Sequence, residues 1–184
     1  MVSMLSWNPA ERSGYTGRIS EAELWGEILP EYFHDPELLR RAKQEHKQVS
    51  ELYLHHREAR EFVKRYQPQS YPIFAQNLLD VITKELQQRD PQIKIRIFTA
   101  VRNTTLDVRH HVDAFLEFEK PGLWEPIIVT FDSTMDPDKT TTQADVLVQV
   151  PPHGLDPTID RAEFDEVLNN TARRAIDRFQ RQMV

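Results

Sequence analysis

The sequence contains no cysteine. That absence excludes a disulfide scaffold, a Cys-ligated zinc, an iron–sulfur cluster and a thiol nucleophile together. Glycine is scarce, five among 184 residues, and the five are spread singly. Neither a P-loop nor a dinucleotide-binding fingerprint can be built from them. No apolar run approaches the ~18 residues that a membrane-spanning helix needs. The segment from Met1 to Pro9 carries no basic region and no long apolar stretch, so the expectation is a cytoplasmic chain without a signal peptide. Positive charge is also short: the net charge is −6, which speaks against a globally basic nucleic-acid binder but leaves room for a local basic face.

What is present suits one compact domain with a helical appendage. Hydrophobic residues make up 39% and charged residues 28%, enough apolar surface for a core. Residues 1–18 read as a flexible tail, punctuated by Asn8-Pro9, Ser13-Gly14 and Gly17. Residues 19–68 read as a helical extension. Ser20 and Glu23 form a capping-box pattern before a short helix that stops near Pro30. Asp35-Pro36 opens one long helix, or two, running to about Tyr66.

Residues 69–184 read as an α/β core. Ser70 and Pro72 precede a helix with the stripe Phe74, Ala75, Leu78, Leu79, Val81, Ile82 and Leu86. After Asp90-Pro91 the period switches from 3.6 to 2. Ile93, Ile95, Ile97, Thr99 and Val101 alternate with Lys94, Arg96 and Phe98. Asn103 to Arg109 reads as a turn. Val112–Phe118, Pro126–Asp132 and Ala144–Val150 read as three further strands, the second of them apolar on both faces and hence central. Phe164, Val167, Leu168, Thr171, Ala172, Ala175, Ile176, Phe179 and Met183 mark a long final helix. The fold class is α+β: a four-stranded mixed or antiparallel sheet flanked by helices, with an N-terminal helical extension and a long C-terminal helix.

Two carboxylates stand where a strand should be apolar. Asp113 opens the second strand and Asp132 closes the third. A charge near the middle of a sheet is costly unless it is paired or bound to a metal. Two such acids on neighbouring strands can share a divalent cation such as Mg2+ through oxygen ligands. The plainer reading is that one acid starts a strand, the other caps a turn, and both are solvated.

The run of helix, strand, Asp-bearing strand and apolar strand ending in Asp resembles the restriction-endonuclease-like, or PD-(D/E)XK, nuclease core over about residues 70–150. The resemblance implies a magnesium-dependent nuclease, or an inactive relative, acting on nucleic acid. It implies that Asp113 and Asp132 hold the metal and that Glu85, on the helix before the first strand, joins them. The family's lysine orients or activates water. Its place holds Thr134 here, and Lys139, five residues on, is the candidate to replace it. The family's helix between the third and fourth strands has no counterpart in the polar stretch Met135 to Gln143.

A second class of function is a non-catalytic interaction module or accessory subunit, of phage, plasmid or mobile-element type, with a protein partner or a second copy of the chain. Charge is divided between these readings. From Leu106 to Asp160 eleven acids face Arg109, Lys120 and Lys139, a balance of −8 that suits a cation and repels phosphate. Asp35 to Tyr66 holds eight Lys/Arg against six acids. Arg173, Arg174, Arg178 and Arg181 read most simply as complements to a helix C-terminus. His111 shares a strand face with Asp113 and is a candidate neighbour of the metal. Ser133 lacks the flanking glycines of a nucleophile elbow.

Overall fold

The computed structural model describes residues 17–183, so the tail expected over residues 1–18 lies almost wholly outside the described residues. The first helix, α1, spans Gly17–Trp25. It begins three residues before the expected Ser20, whose buried hydroxyl caps nothing. A 3-10 turn at Pro30–His34 leads to α2, Pro36–Glu45. Asp35 caps α2 by accepting from the Glu37 and Leu38 amides at 2.8 and 3.1 Å, and Pro36 at the first position costs no hydrogen bond. His46 closes α2 in the left-handed region, φ 53°. The long helix is therefore two: after a 3-10 turn at Val49–Glu51, α3 runs over His56–Lys64. The break falls where the apolar period is poorest, between residues 43 and 48.

Helix α4, Ile73–Arg89, ends at Asp90 and feeds β1, Lys94–Thr99. The expected turn at 103–109 is instead helix α5, Thr105–His110. Six residues are too few for a helical period to show. Its legible signal is local: the Thr104 hydroxyl accepts from the Asp107 amide at 3.2 Å, an N-cap. Then come β2, Ala114–Glu119, β3, Ile127–Thr134, β4, Val146–Gln149, and α6, Arg161–Gln182, capped by Asp160.

The sheet order is β1-β2-β3-β4. β1 with β2 and β2 with β3 are antiparallel, whereas β4 lies parallel to β3, so the sheet is mixed. Parallel neighbours need a crossover, which is usually helical. Here the crossover is residues 135–145, none of them helical.

Helices cover both faces. On one, Phe74, Leu78 and Ile82 of α4 and Phe164, Ala175 and Phe179 of α6 pack on Leu116, Phe118, Val129 and Phe131. Trp25 of α1 joins them, its ring 5.5 Å from Phe74 and 5.2 Å from Phe131. On the other face Leu38, Ala59, Phe62 and Val63 of α2 and α3 share a core with Leu106, Val112 and Phe115. Each large side chain so buried contributes roughly 1.5–3 kcal/mol of transfer free energy. Among the described residues no helix is long and apolar enough to cross a membrane.

Candidate active site at the end of the sheet

The β2–β3 ladder ends with Ala114 opposite Phe131. The Asp113 amide donates to the Phe131 carbonyl at 2.8 Å, so Asp113 and Ala114 both oppose Phe131 and the register shifts by one residue, as at a β-bulge. The Asp113 carboxylate reaches Ser133, the residue that follows Asp132 on β3. Both carboxylates are buried, with 4% and 5% of their residue surface exposed. The plainer sequence reading, two solvated strand ends, does not describe them.

Their surroundings differ. Asp132 Oδ2 accepts from Lys139 Nζ at 2.7 Å and from the Thr142 hydroxyl at 2.5 Å. Both donors come from the helix-free crossover, which folds back over the end of β3. Among the described residues Asp113 has no cation beside it. Its Oδ2 accepts from the Ser133 amide at 2.6 Å and from the Ser133 hydroxyl, which in turn accepts from Trp25 Nε1 at 3.3 Å. Burial pushes the Asp113 carboxyl up to about 7. The two Ser133 hydrogen bonds oppose that rise, and the charges of Asp107 and Asp132 add to it.

Asp132, Lys139, His111, Thr141, Thr142 and Gln143 line an open cleft of about 350 Å3. His111 holds a left-handed conformation, φ 52°, as the C-cap of α5. That geometry turns the chain from α5 into β2 and brings the imidazole to the cleft.

Glu85 is not brought here. It pairs with Arg89 at 3.2 Å near the C-terminal end of α4. That end leads into Lys94, which is paired with Glu119, whereas Asp113 lies beyond the opposite end of the same ladder, past Thr99 and Ala114. Six strand residues, roughly 17–20 Å, separate the two ends.

Among the described residues no group of three or more His, Asp or Glu side chains is gathered closely enough to form a metal cage. Mg2+ does not require one: it keeps several waters and commonly binds through one or two carboxylates. The pair Asp113–Asp132 fits that requirement, because one member is a desolvated acid without a cationic partner and the other faces the cleft. Ser133, Thr142 and Trp25 are the parts that sequence reasoning missed. Ser133 alone carried a signal, as a polar residue inside an apolar strand next to an acid.

Comparison with protein-family models, with curated proteins and with solved structures finds no match for this chain.

Proposed function

We propose that the cleft is a magnesium-dependent phosphodiesterase site of the restriction-endonuclease-like kind, acting on nucleic acid. The observation that carries the reading is the Lys139–Asp132 pair beside buried Asp113, whose carboxylate is held by Ser133, the residue next to Asp132; Lys139 comes from the crossover rather than from β3. Asp132 and Asp113 would hold the cation. Once bound, it would offset negative charge on a phosphodiester and lower the pKa of a coordinated water. Metal binding requires Asp113 ionised, so it is accompanied by release of the proton that burial favours. Lys139, one third exposed at its side chain, has two ammonium protons to spare beyond the one given to Asp132. They suit a phosphoryl oxygen or an attacking water. Thr142 fixes the second lone pair of Asp132 Oδ2 and so its orientation.

The test is calorimetric titration of Mg2+ and Mn2+ into wild type, Asp113→Asn and Asp132→Asn, followed by cleavage of labelled single- and double-stranded oligonucleotides. Saturable binding lost in both variants, with cleavage lost in Lys139→Met, is the expected result. Metal binding without cleavage of either substrate would favour the inactive relative. No binding at millimolar metal, with or without oligonucleotide, would overturn the site. A protein-interaction role has one observation of its own: Trp124 stands fully exposed beside Leu123 in the β2–β3 connection.

A further inference from the structure

Arg181 lies in the last turn of α6, but Arg174 and Arg178 do more than complement a helix end. Arg174 and Arg178 lie well inside α6 and reach sideways to the sheet edge. Arg174 Nη1 donates to the Leu147 carbonyl of β4 at 2.5 Å, and Arg178 Nε donates to Asp145 Oδ1 at 2.7 Å. Asp145 immediately precedes β4, and its Oδ2 accepts from the amide and the hydroxyl of Thr130, both at 3.0 Å. Asp145 is thus occupied on both oxygens and serves to fix Arg178. Among the described residues the Nη groups of Arg178 have no partner, and its side chain is about half exposed. Arg174, Arg178 and Arg181, with Asp145 and Asp177, line a cleft of about 240 Å3.

A fourth guanidinium lies in α3, on the other face of the sheet. Arg60 of α3 is largely buried, and among the described residues it makes no ion pair. Its Nη1 contacts His56 Nδ1 at 2.8 Å and its Nε has no partner. Burial lowers its pKa, and the charges of Glu117, Glu61 and Glu125 lift it again without touching it. His56 feels the charges of Arg60, His110 and Asp145. Burial, then the Arg60 and His110 charges, push His56 down to about 4, so its Nδ1 accepts and Arg60 keeps the charge.

This edge is continuous with the cleft at Asp132. Thr130 and Asp132 are two residues apart on β3, hence on one face and about 7 Å apart. Thr141–Gln143, which line that cleft, run through Ala144 directly into Asp145. Guanidinium groups pre-fixed on a carbonyl and a carboxylate, with free Nη donors, suit the paired oxygens of phosphates.

We propose that the β3–β4 edge is a lane for a single nucleic-acid strand, with Arg178 and Arg181 holding phosphates beside Asp145 and directing the chain to Asp132. The proposal rests on the phosphodiesterase reading for its direction, but not for its contacts.

The test is fluorescence anisotropy of a fluorescein-labelled 20-nucleotide single-stranded DNA in EDTA, as a function of salt. Without metal the assay reads the lane apart from catalysis. Arg178→Ala/Arg181→Ala is expected to weaken binding about tenfold and to reduce the salt slope by about 1.4, two phosphate contacts at ~0.7 each. Arg178→Lys should recover part of the loss, and Arg89→Gln, at the far end of α4, should bind like wild type. Unchanged affinity and slope in the folded double variant would overturn the lane, as would tighter binding of the duplex with no dependence on these arginines. Failure of metal binding with arginine-dependent DNA binding would remove the catalytic reading and leave the lane. Cleavage that ignores the double variant would do the reverse.

Discussion

Asp113, just before β2, and Glu117, within it, lie four residues apart, and both are buried. Glu117 is provided with two cations: Lys64 of α3 at 2.9 Å and Arg96 of β1 at 3.2 Å. Asp113 is provided with none, only the amide and hydroxyl of Ser133. Desolvation of a carboxylate is offset in the first case by opposite charge and in the second by two neutral donors, which are weaker. Glu117 ties α3 to the sheet and is a structural acid. Asp113 is kept without a cationic partner, next to a second acid, and that is the condition in which a divalent ion has most to gain. Asp132 falls between them, with one ammonium and one hydroxyl.

The comparison can be broken by mutation. Glu117→Ala should have the largest effect on stability, about 2–3 kcal/mol, because it leaves Lys64 and Arg96 without their buried partner. For a chain of this size that corresponds to a fall in Tm of roughly 4–12 °C in a thermal melt. Metal affinity should not change, and a variant that loses metal as well would show that the two acids are not separate in role.

Asp113→Asn should do the opposite. It keeps an oxygen for Ser133 and removes the desolvated charge. The folded carboxyl titrates at about 7, above its ordinary value, so the unfolded chain releases that proton first. Stability from this group is complete below pH ~4 and is lost as pH rises towards 7. At pH 8 the variant should therefore be more stable than wild type, by ~2 kcal/mol in urea unfolding, while losing metal. A less stable variant at pH 8 would mean that the charge is already compensated.

Lys139→Met should cost ~1 kcal/mol, since its partner Asp132 is buried but the ammonium is partly solvated. A double cycle with Thr142→Val would separate the two donors. The smallest effect belongs to His56. Its imidazole is pushed down to about 4, so the unfolded chain takes up a proton that the folded one refuses. Stability should fall as pH drops from about 6.5 towards 4, and His56→Gln should flatten that limb of the curve.

Periodicity made the frame legible. The alternation of Ile93, Ile95 and Ile97, the two-faced apolar run at Ile127–Val129 and the 3–4 spacing from Phe164 to Phe179 correspond to β1, β3 and α6. Those patterns are set by burial, which acts along each element. What was not legible depends on where elements meet. Glu117 sits in an otherwise apolar strand, but its cations lie 53 and 21 residues away. The arginines of α6 look the same in sequence whether they complement a helix end or grip a sheet edge; only β4 distinguishes the two. Asp113 and Asp132 were visible because a charge in an apolar run is a local anomaly. Glu85 was drawn in by resemblance, and the direction of α4 takes it to the far end of the sheet.

The crossover without a helix has one more consequence. The same eleven residues, 135–145, supply Lys139 and Thr142 and deliver the chain to the first residue of β4. The cleft therefore cannot be opened by swinging a lid on independent hinges, because lifting those side chains pulls on the outermost strand. Amide protons of Val146–Gln149 should exchange in step with solvent entry to Asp132, so that the fraying of a sheet edge becomes the clock by which the site breathes.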